Sequence, residues 1–208
     1  MARAWEQRQV SEARQQATTA LMDAAEHLLY EVGYAGVSTR SLAEAAGMNH
    51  GLVHYYFGSM DELLTQTLQR FVEQLAGALE ALYADPRLSF AEKWRLGARF
   101  WVDEPTSRFP KILLELLAMG WNKPELRMRL TEVHARFRGI FEHYFGQAMR
   151  EYGLNEFQFP LKVIVAAVTS FQLGLIVEGL SSVDEGHAEL LDWIQVWVDS
   201  LEANNPSA

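Results

Sequence analysis

The 208-residue chain contains no cysteine, which excludes disulfide bridges, thiolate metal ligands and a cysteine nucleophile. It opens without the basic and then apolar segments of an export signal, so we expect a cytoplasmic protein. No stretch alternates apolar and polar residues with the period of a strand. The zinc-protease, nucleophile-elbow, P-loop and dinucleotide-binding motifs are all missing, so we predict neither an enzyme nor a bound cofactor.

Positive charge is scarce, because 18 Lys and Arg residues face 27 Asp and Glu residues and leave a net charge of −9. Residues 1–60 contain four arginines, no lysine and six acidic residues. Nucleic acid attracts positive surfaces, so binding to it would have to come from a local surface rather than from the whole molecule.

Long apolar runs are also lacking, and the most apolar stretch is Val163 to Val177. It is shorter than the roughly 20 residues that cross a bilayer, so we predict a buried core helix and no membrane partner.

Apolar residues recur instead at helical spacing, which predicts an all-α protein of about nine helices. Residues 1–17 have no sustained apolar face and are expected to form a mobile or partly helical arm. The first helix then runs from about Thr18 to Val32, and Gly33 suits its left-handed end. A second helix capped by Ser38 or Thr39 is expected to continue through Ala46, a third to run from about His50 to Phe57, and a fourth to follow Ser59 and stop at Asp85-Pro86. The others are expected at about 89–103, 109–121, 124–152, 160–180 and 187–203.

Two short helices joined by a tight turn at Gly47 match a helix-turn-helix, whose second helix enters the major groove of DNA. Met48, Val53 and Phe57 can anchor that second helix from below. The side chains left facing outward can contact phosphates and base edges. They are His50, Gly51, Leu52, His54 and Tyr55.

The two ends of this motif add backbone donors. Ser38 or Thr39 can cap the first helix of the pair and Asn49 the second, so free N–H groups at both helix starts are available to phosphates. Ser59 with Glu62 predicts a capping box at the start of the next helix.

The histidines and tyrosines allow more than one interpretation. His50 and His54 have the spacing of a two-histidine metal site, but a third ligand is not evident nearby, so we predict groove contact for His50 and no metal. His54 either contacts the groove or packs against its own domain. Of Tyr55 and Tyr56, one should meet the phosphates and the other pack inside, with Tyr55 the outward one. The N-terminal arginines either reach an adjacent groove or form a solvated tail.

The segment from Thr18 to about Leu68, and above all GYAGVSTRSLAEAAGMNHGLVHYYFGSMDELL, resembles the N-terminal domain of tetracycline-repressor (TetR)-type regulators. The shared features are a Gly-aromatic pair, a hydroxyl-rich helix start, an Ala-x-x-x-Gly turn and an aromatic-x-Phe ending before an apolar helix. The resemblance implies that Arg40 contacts a base and that Ser38 and Thr39 contact phosphates. It also places Tyr56 on the recognition helix.

Three residues depart from the family pattern, namely Leu52, His54 and Met60. Met60 stands where the family usually has a phosphate-contacting lysine. We therefore expect DNA binding to depend on salt much less steeply than the slope of roughly −10 of a strongly basic repressor.

Aromatic residues crowd the C-terminal region and are predicted to be mostly core, with a small-molecule cavity among them. Glu115 is expected to face solvent. The candidate effector-binding residues are Trp101, Trp121, His134, Phe137, Arg138, Phe141, Thr169 and Gln172.

These patterns predict an arm of residues 1–17, a helix-turn-helix DNA-binding domain of residues 18–60 and a ligand-binding and dimerisation domain of residues 61–208. Apolar surface on the last two helices favours a two-fold dimer through a four-helix interface. The resemblance implies a homodimeric regulator, usually a repressor, that leaves palindromic operator DNA when a small-molecule effector binds. The competing hypothesis, based on the acidic N-terminal region and Met60, is a helical ligand-binding or scaffolding dimer without specific DNA recognition.

Overall fold

The computed structural model of the protein describes residues 2–99 and 108–204, and this part of the chain is helical without a strand. The all-α prediction is therefore confirmed. The helices are α1 (Ala2–Gly36), α2 (Thr39–Ala45), α3 (Gly51–Phe57), α4 (Met60–Ala84), α5 (Phe90–Arg99), α6 (Arg108–Asn122), α7 (Pro124–Glu151), α8 (Leu161–Leu180) and α9 (His187–Ala203).

Helices α2 to α9 begin and end within a few residues of their predicted limits. The predicted end of the fifth helix at residue 103 lies outside the described residues, as does Trp101. At the start of α4, the Ser59 hydroxyl accepts from the N–H of Glu62 at 3.1 Å. The second half of the predicted capping box is wrong, because the Glu62 carboxylate accepts from the Gln66 side chain instead.

Helix α1 begins at Ala2, well before the predicted start at Thr18. The added residues are rich in Ala, Gln, Glu and Arg, which favour a helix even without an apolar face. Gly33 breaks the helix as predicted, with φ of 68°. Val32, at the predicted end of the helix, is exposed.

The chain packs as two compact units, Met1–Val72 with Lys111–Leu130 and Glu73–Pro110 with Thr131–Ala208. This division by packing falls inside α4 and α7. The boundary predicted at residue 60 separates a DNA-binding from a ligand-binding domain, and it stays a prediction.

In the first unit, α6 holds the break in α1 through two charged side chains. The Lys111 ammonium donates to the carbonyl of Tyr30, and the Glu115 carboxylate accepts from the N–H of Tyr34 at 3.0 Å. These two backbone groups flank Gly33 and are freed by the helix break. The expectation that Glu115 faces solvent was therefore wrong.

The second unit has an aromatic core, as predicted. Tyr83, Trp94, Phe141 and Phe145 are buried together with aliphatic side chains of α8 and α9. The Tyr83 ring meets that of Phe141 edge-on at 6.1 Å, a favourable geometry for aromatic pairs.

Helices α8 and α9 leave apolar side chains exposed in the single chain. Within the described residues α8 alone, at 20 residues, has the length and apolar composition of a membrane span, a property it shares with core helices of soluble proteins. Only 22% of its apolar window is buried. The prediction that this helix is buried is therefore wrong for the single chain, although its predicted limits hold. The large exposed side chains are Val163, Val177, Leu180, Leu190, Trp193, Val196 and Trp197.

Candidate nucleic-acid interface

A reciprocal hydrogen-bonded cap starts α2. The Ser38 hydroxyl accepts from the N–H of Ser41 at 3.0 Å, and the Ser41 hydroxyl accepts from the N–H of Ser38 at 2.8 Å. This confirms Ser38 as the capping residue. Because the cap occupies the Ser38 hydroxyl and the N–H groups of Ser38 and Ser41, the N–H groups of Thr39 and Arg40 are the ones left at this helix start for a phosphate. Thr39 is half-buried and Arg40 is exposed.

The turn between α2 and α3 depends on Gly47, whose φ of 65° is the left-handed conformation that favours glycine. The Met48 N–H donates to the carbonyl of Ala43 at 2.8 Å and closes the turn. The Asn49 side-chain oxygen then accepts from the N–H of Gly51 at 2.9 Å. Asn49 therefore caps the start of α3, as predicted.

Helix α3 has one buried and one exposed face. Val53 and Phe57 are buried and Met48 is half-buried, so these three anchor the helix as predicted. Tyr55 is 72% exposed. The predicted outward residues follow the same division, with His50, Gly51 and His54 exposed and Leu52 half-buried.

His54 is exposed, which resolves its two interpretations in favour of the outward one. Its Nδ1 lies 3.1 Å from the carbonyl oxygen of Gly58. A carbonyl only accepts hydrogen bonds, so Nδ1 carries the hydrogen and Nε2 is left for another partner. In the described part of the chain no cluster of three potential ligands could hold a metal ion.

The two tyrosines are divided as predicted, with Tyr55 outward and Tyr56 half-buried. Their rings meet edge-on at 4.9 Å. Arg14 of α1 lies over the Tyr56 ring, with its Cζ 5.9 Å from the ring centroid. The structure thus brings an N-terminal arginine next to α3, which the sequence had left open.

Ion pairs across the first unit offset several of its carboxylates. Arg70 pairs with Asp23 at 2.7 Å and with Glu26 at 2.5 Å. Lys123 donates to Asp61, and this hydrogen bond raises the pKa of the Lys123 ammonium and keeps it charged. The count for residues 1–60 therefore overstates the negative charge near Asp23 and Glu26, because Arg70 lies outside that range. Spacing in the sequence had no signal for these pairs, because their partners lie 44 to 62 positions apart.

The candidate effector residues that the structure describes differ in their exposure. Trp121 is 79% exposed and His134 is also exposed, so neither borders an enclosed cavity. Phe141 is core, and the Thr169 hydroxyl donates to the carbonyl of Val165 in its own helix. Gln172 is buried with 8% exposed, and its amide has no hydrogen-bond partner among the described residues. Phe137 and Arg138 are half-buried.

An apolar cavity of about 100 Å³ lies elsewhere in the second unit, and none of the predicted residues that the structure describes borders it. Sequence reasoning missed its lining because these side chains have the same helical spacing as core. The lining includes Phe90, Trp94, Phe145, Met149, Ile164 and Trp197.

The capped short helices, the glycine turn and the outward face of α3 define a helix-turn-helix protein. Residues 21–67 match the family described as bacterial regulatory proteins, tetR family. This segment is therefore similar to the N-terminal domain of that family.

Relatives and solved structures agree with this assignment. The HTH-type transcriptional regulator BetI of Paraburkholderia phytofirmans is 32% identical over 120 residues, 56% of this chain and 60% of that protein. An HTH-type transcriptional repressor of Mycobacterium tuberculosis is 32% identical over 78 residues, 38% of this chain and 42% of the repressor. The matched region thus spans about three fifths of the longer-matching relative.

Among solved structures, one described as a TetR-family transcriptional regulator of Mesorhizobium loti has a TM-score of 0.71 at 18% identity. The match covers 91% of this chain and 96% of that one, so the two share the fold.

Proposed function

We propose that the chain is a DNA-binding transcriptional regulator, a homodimeric repressor released from a near-palindromic operator by a small-molecule effector. The observation that carries this proposal is the outward face of α3, where Tyr55 and the histidines stand clear of an anchored helix. Such side chains can hydrogen-bond phosphates and base edges in the major groove. The relatives named as transcriptional regulators support the same function.

The exposed apolar face of α8 and α9 supports the homodimer. Large exposed apolar patches mark protein interfaces, and Trp193 is 70% exposed in the single chain. A helix-turn-helix reads one half-site, so a two-fold dimer presents two copies of α3 about 34 Å apart, in successive major grooves.

Gln172 supports an effector site in the helical bundle. A buried amide without a partner costs about 1–3 kcal/mol, and a ligand with a matching polar group would remove that cost. Four other candidates for this site lie on the same helix as Gln172 or on the helix before it. Phe137, Arg138 and Phe141 are on α7, and Thr169 is on α8 with Gln172. Operator and effector must then weaken each other's binding by the same factor.

The test starts from a DNA duplex that the wild-type protein selects from a random pool. We expect a footprint of two half-sites about 34 Å apart, and we expect a scrambled duplex of equal length to compete weakly. Equal affinity for the selected and scrambled duplexes would reject specific recognition and favour the scaffolding hypothesis.

The effector is tested separately, by mass spectrometry of small molecules that co-purify with the protein. A true effector should lower affinity for the selected duplex, and the duplex should lower affinity for the effector by an equal factor. Unequal factors at equilibrium would reject this coupling.

A further inference from the structure

We propose that Arg14, which lies outside the helix-turn-helix, binds a DNA phosphate beside α3 and is positioned there by Tyr56. This inference rests on the proposed DNA-binding function and adds a contact that the family's recognition motif does not include. It also assigns Tyr56 a different part from Tyr55. In this assignment Tyr55 touches DNA and Tyr56 holds the residue that does.

The geometry places the Arg14 guanidinium at the DNA-facing helix. Its Cζ lies 5.9 Å from the centroid of the Tyr56 ring, within the range of a cation–π contact. Tyr56 meets the ring of Tyr55 edge-on at 4.9 Å, and Tyr55 is the most exposed aromatic residue of α3. The aromatic pair therefore connects Arg14 to the surface that we assign to DNA.

The contact with Tyr56 leaves the N–H donors of Arg14 available. A cation–π contact uses no N–H donor, so the guanidinium can still bind a phosphate with two hydrogen bonds. No described carboxylate lies within ion-pair distance of Arg14, and the same holds for Arg40. Arg70, by contrast, is occupied by Asp23 and Glu26.

The backbone also favours a placed contact over a loose tail. Arg14 lies inside α1, which is helical from Ala2 onward. The Thr18 hydroxyl donates to the carbonyl of Arg14 at 3.1 Å within the same helix. A side chain on a formed helix loses less conformational entropy on binding DNA than one on a disordered arm.

The scarcity of positive charge makes this contact measurable. Residues 1–60 contain four arginines and no lysine, so the helix-turn-helix domain can release few counterions. Each neutralised phosphate contributes about 0.9 to the slope of log affinity against log salt concentration. Two copies of Arg14 in a dimer should therefore account for about 1.8 of that slope.

The experiment measures the salt slope of binding to the duplex that the wild-type protein selects from a random pool. For Arg14→Ala we expect the slope to become shallower by about 1.8, with affinity at low salt reduced by about tenfold or more. Because a phosphate contact carries no base information, the loss should be equal on selected and scrambled duplexes.

Three further variants separate positioning from charge. Arg14→Lys keeps the charge but loses the two-pronged guanidinium donor, so most of the slope should remain while affinity falls. Tyr56→Leu keeps an apolar side chain but removes the platform, and its slope should approach that of Arg14→Ala. Arg87→Ala removes an equal charge from a side chain that pairs with Asp85 between α4 and α5, and it should bind like the wild type.

The outcomes distinguish a failure of the proposed DNA-binding function from a failure of the roles given to Arg14 and Tyr56. If the wild-type protein shows no preference for any duplex, the proposed function fails. If it binds specifically but Arg14→Ala has the slope of Arg87→Ala, only the assignment of Arg14 is overturned. A Tyr56→Leu slope equal to that of the wild type, with unchanged thermal unfolding, would overturn the positioning role of Tyr56.

Discussion

Helices α3 and α8 both leave side chains exposed, but these side chains have opposite chemistry. The seven residues of α3 expose imidazole and phenol groups above two buried anchors, Val53 and Phe57. The 20 residues of α8 expose aliphatic side chains such as Val163 and Val177. A polar exposed face suits a hydrated, charged partner such as DNA, and an apolar one suits another protein surface. The comparison therefore supports the two different partners that we propose for these helices.

The largest expected effect tests the apolar side of this comparison. Replacing Trp193 and Val196 of α9 together by Asp should raise the dissociation constant of the dimer more than about 100-fold, because an unpaired charge buried in an interface costs about 3–5 kcal/mol. Sedimentation equilibrium measures the shift. The matched control is Trp121→Asp, since this tryptophan is exposed on α6. If the double variant stays dimeric at the same concentrations, the interface lies elsewhere.

The next effect contrasts the two faces of α3. Tyr55→Ala should weaken binding to the selected duplex by about 10- to 100-fold without changing thermal unfolding, because one such contact contributes about 1–3 kcal/mol per half-site. Val53→Ala should instead cost about 2 kcal/mol of stability, because it leaves a cavity under the helix. The assignment of the two faces fails if Tyr55→Ala lowers stability and leaves DNA affinity unchanged.

A smaller effect concerns the break in α1. Gly33→Ala should lower the free energy of unfolding by about 1–2 kcal/mol, because φ of 68° disfavours a side chain. Its new Cβ would also lie 2.7 Å from Oε1 of Glu115 and displace the carboxylate from the Tyr34 N–H. Gly139 in α7 has open space, so Gly139→Ala should add about 0.5–1 kcal/mol in the same denaturant titration. Equal effects at both sites would show that neither φ nor Glu115 matters at Gly33.

A few-fold effect is expected from pH at the polar face. A charged imidazole binds phosphate more strongly than a neutral one, so lowering the pH from 8 to 6 should raise DNA affinity about threefold if Nε2 of His54 faces phosphate. His54→Gln should lose most of this dependence and reveal any share from His50. A wild-type affinity that is flat over this range, with the fold intact, would remove both histidines from phosphate contact.

The smallest effect lies within the second unit, where Glu202 of α9 accepts from the N–H of Ala91 and from the hydroxyl of Tyr152. Burial raises the pKa of the Glu202 carboxyl, but these hydrogen bonds outweigh it and the net pKa is lowered. A lowered folded-state pKa gives stability above the unfolded pKa, near 4.5, that is lost as pH falls through the folded value.

We therefore expect Glu202→Gln to be less stable than the wild type at pH 6, by less than about 1 kcal/mol because the site is partly solvated. The gap should shrink toward pH 3, as measured by thermal unfolding. A gap that widens on acidification would contradict the sign of the pKa shift.

Local signals predicted most of the fold. Glycines at 33 and 47 and the caps at Ser38 and Asn49 act over a few residues, so the helix breaks around α2 and α3 could be predicted. The start of α1 at Ala2 was not predicted, because the prediction relied on an apolar face that residues 2–17 lack. The high helix propensity of these residues would have predicted it.

The two candidate sites also differ in how far local spacing could predict them. Helical spacing placed Val53 inward and Tyr55 outward, because one short helix has one anchored face. The effector residues were less predictable, since a pocket depends on which helices meet. Trp121 is aromatic like Phe141, yet the first is exposed and the second is core.

The sequence by itself determined the helices, the turn at Gly47 and the outward set on α3, because each depends on residues a few positions apart. The tertiary structure decided which charges are available. In the folded chain, Glu115 accepts a hydrogen bond from the Tyr34 N–H and Arg70 pairs with Asp23 and Glu26. Arg14, by contrast, lies over the ring of Tyr56. Partners 44 or more positions apart meet only when helices pack, and no local spacing encodes that meeting.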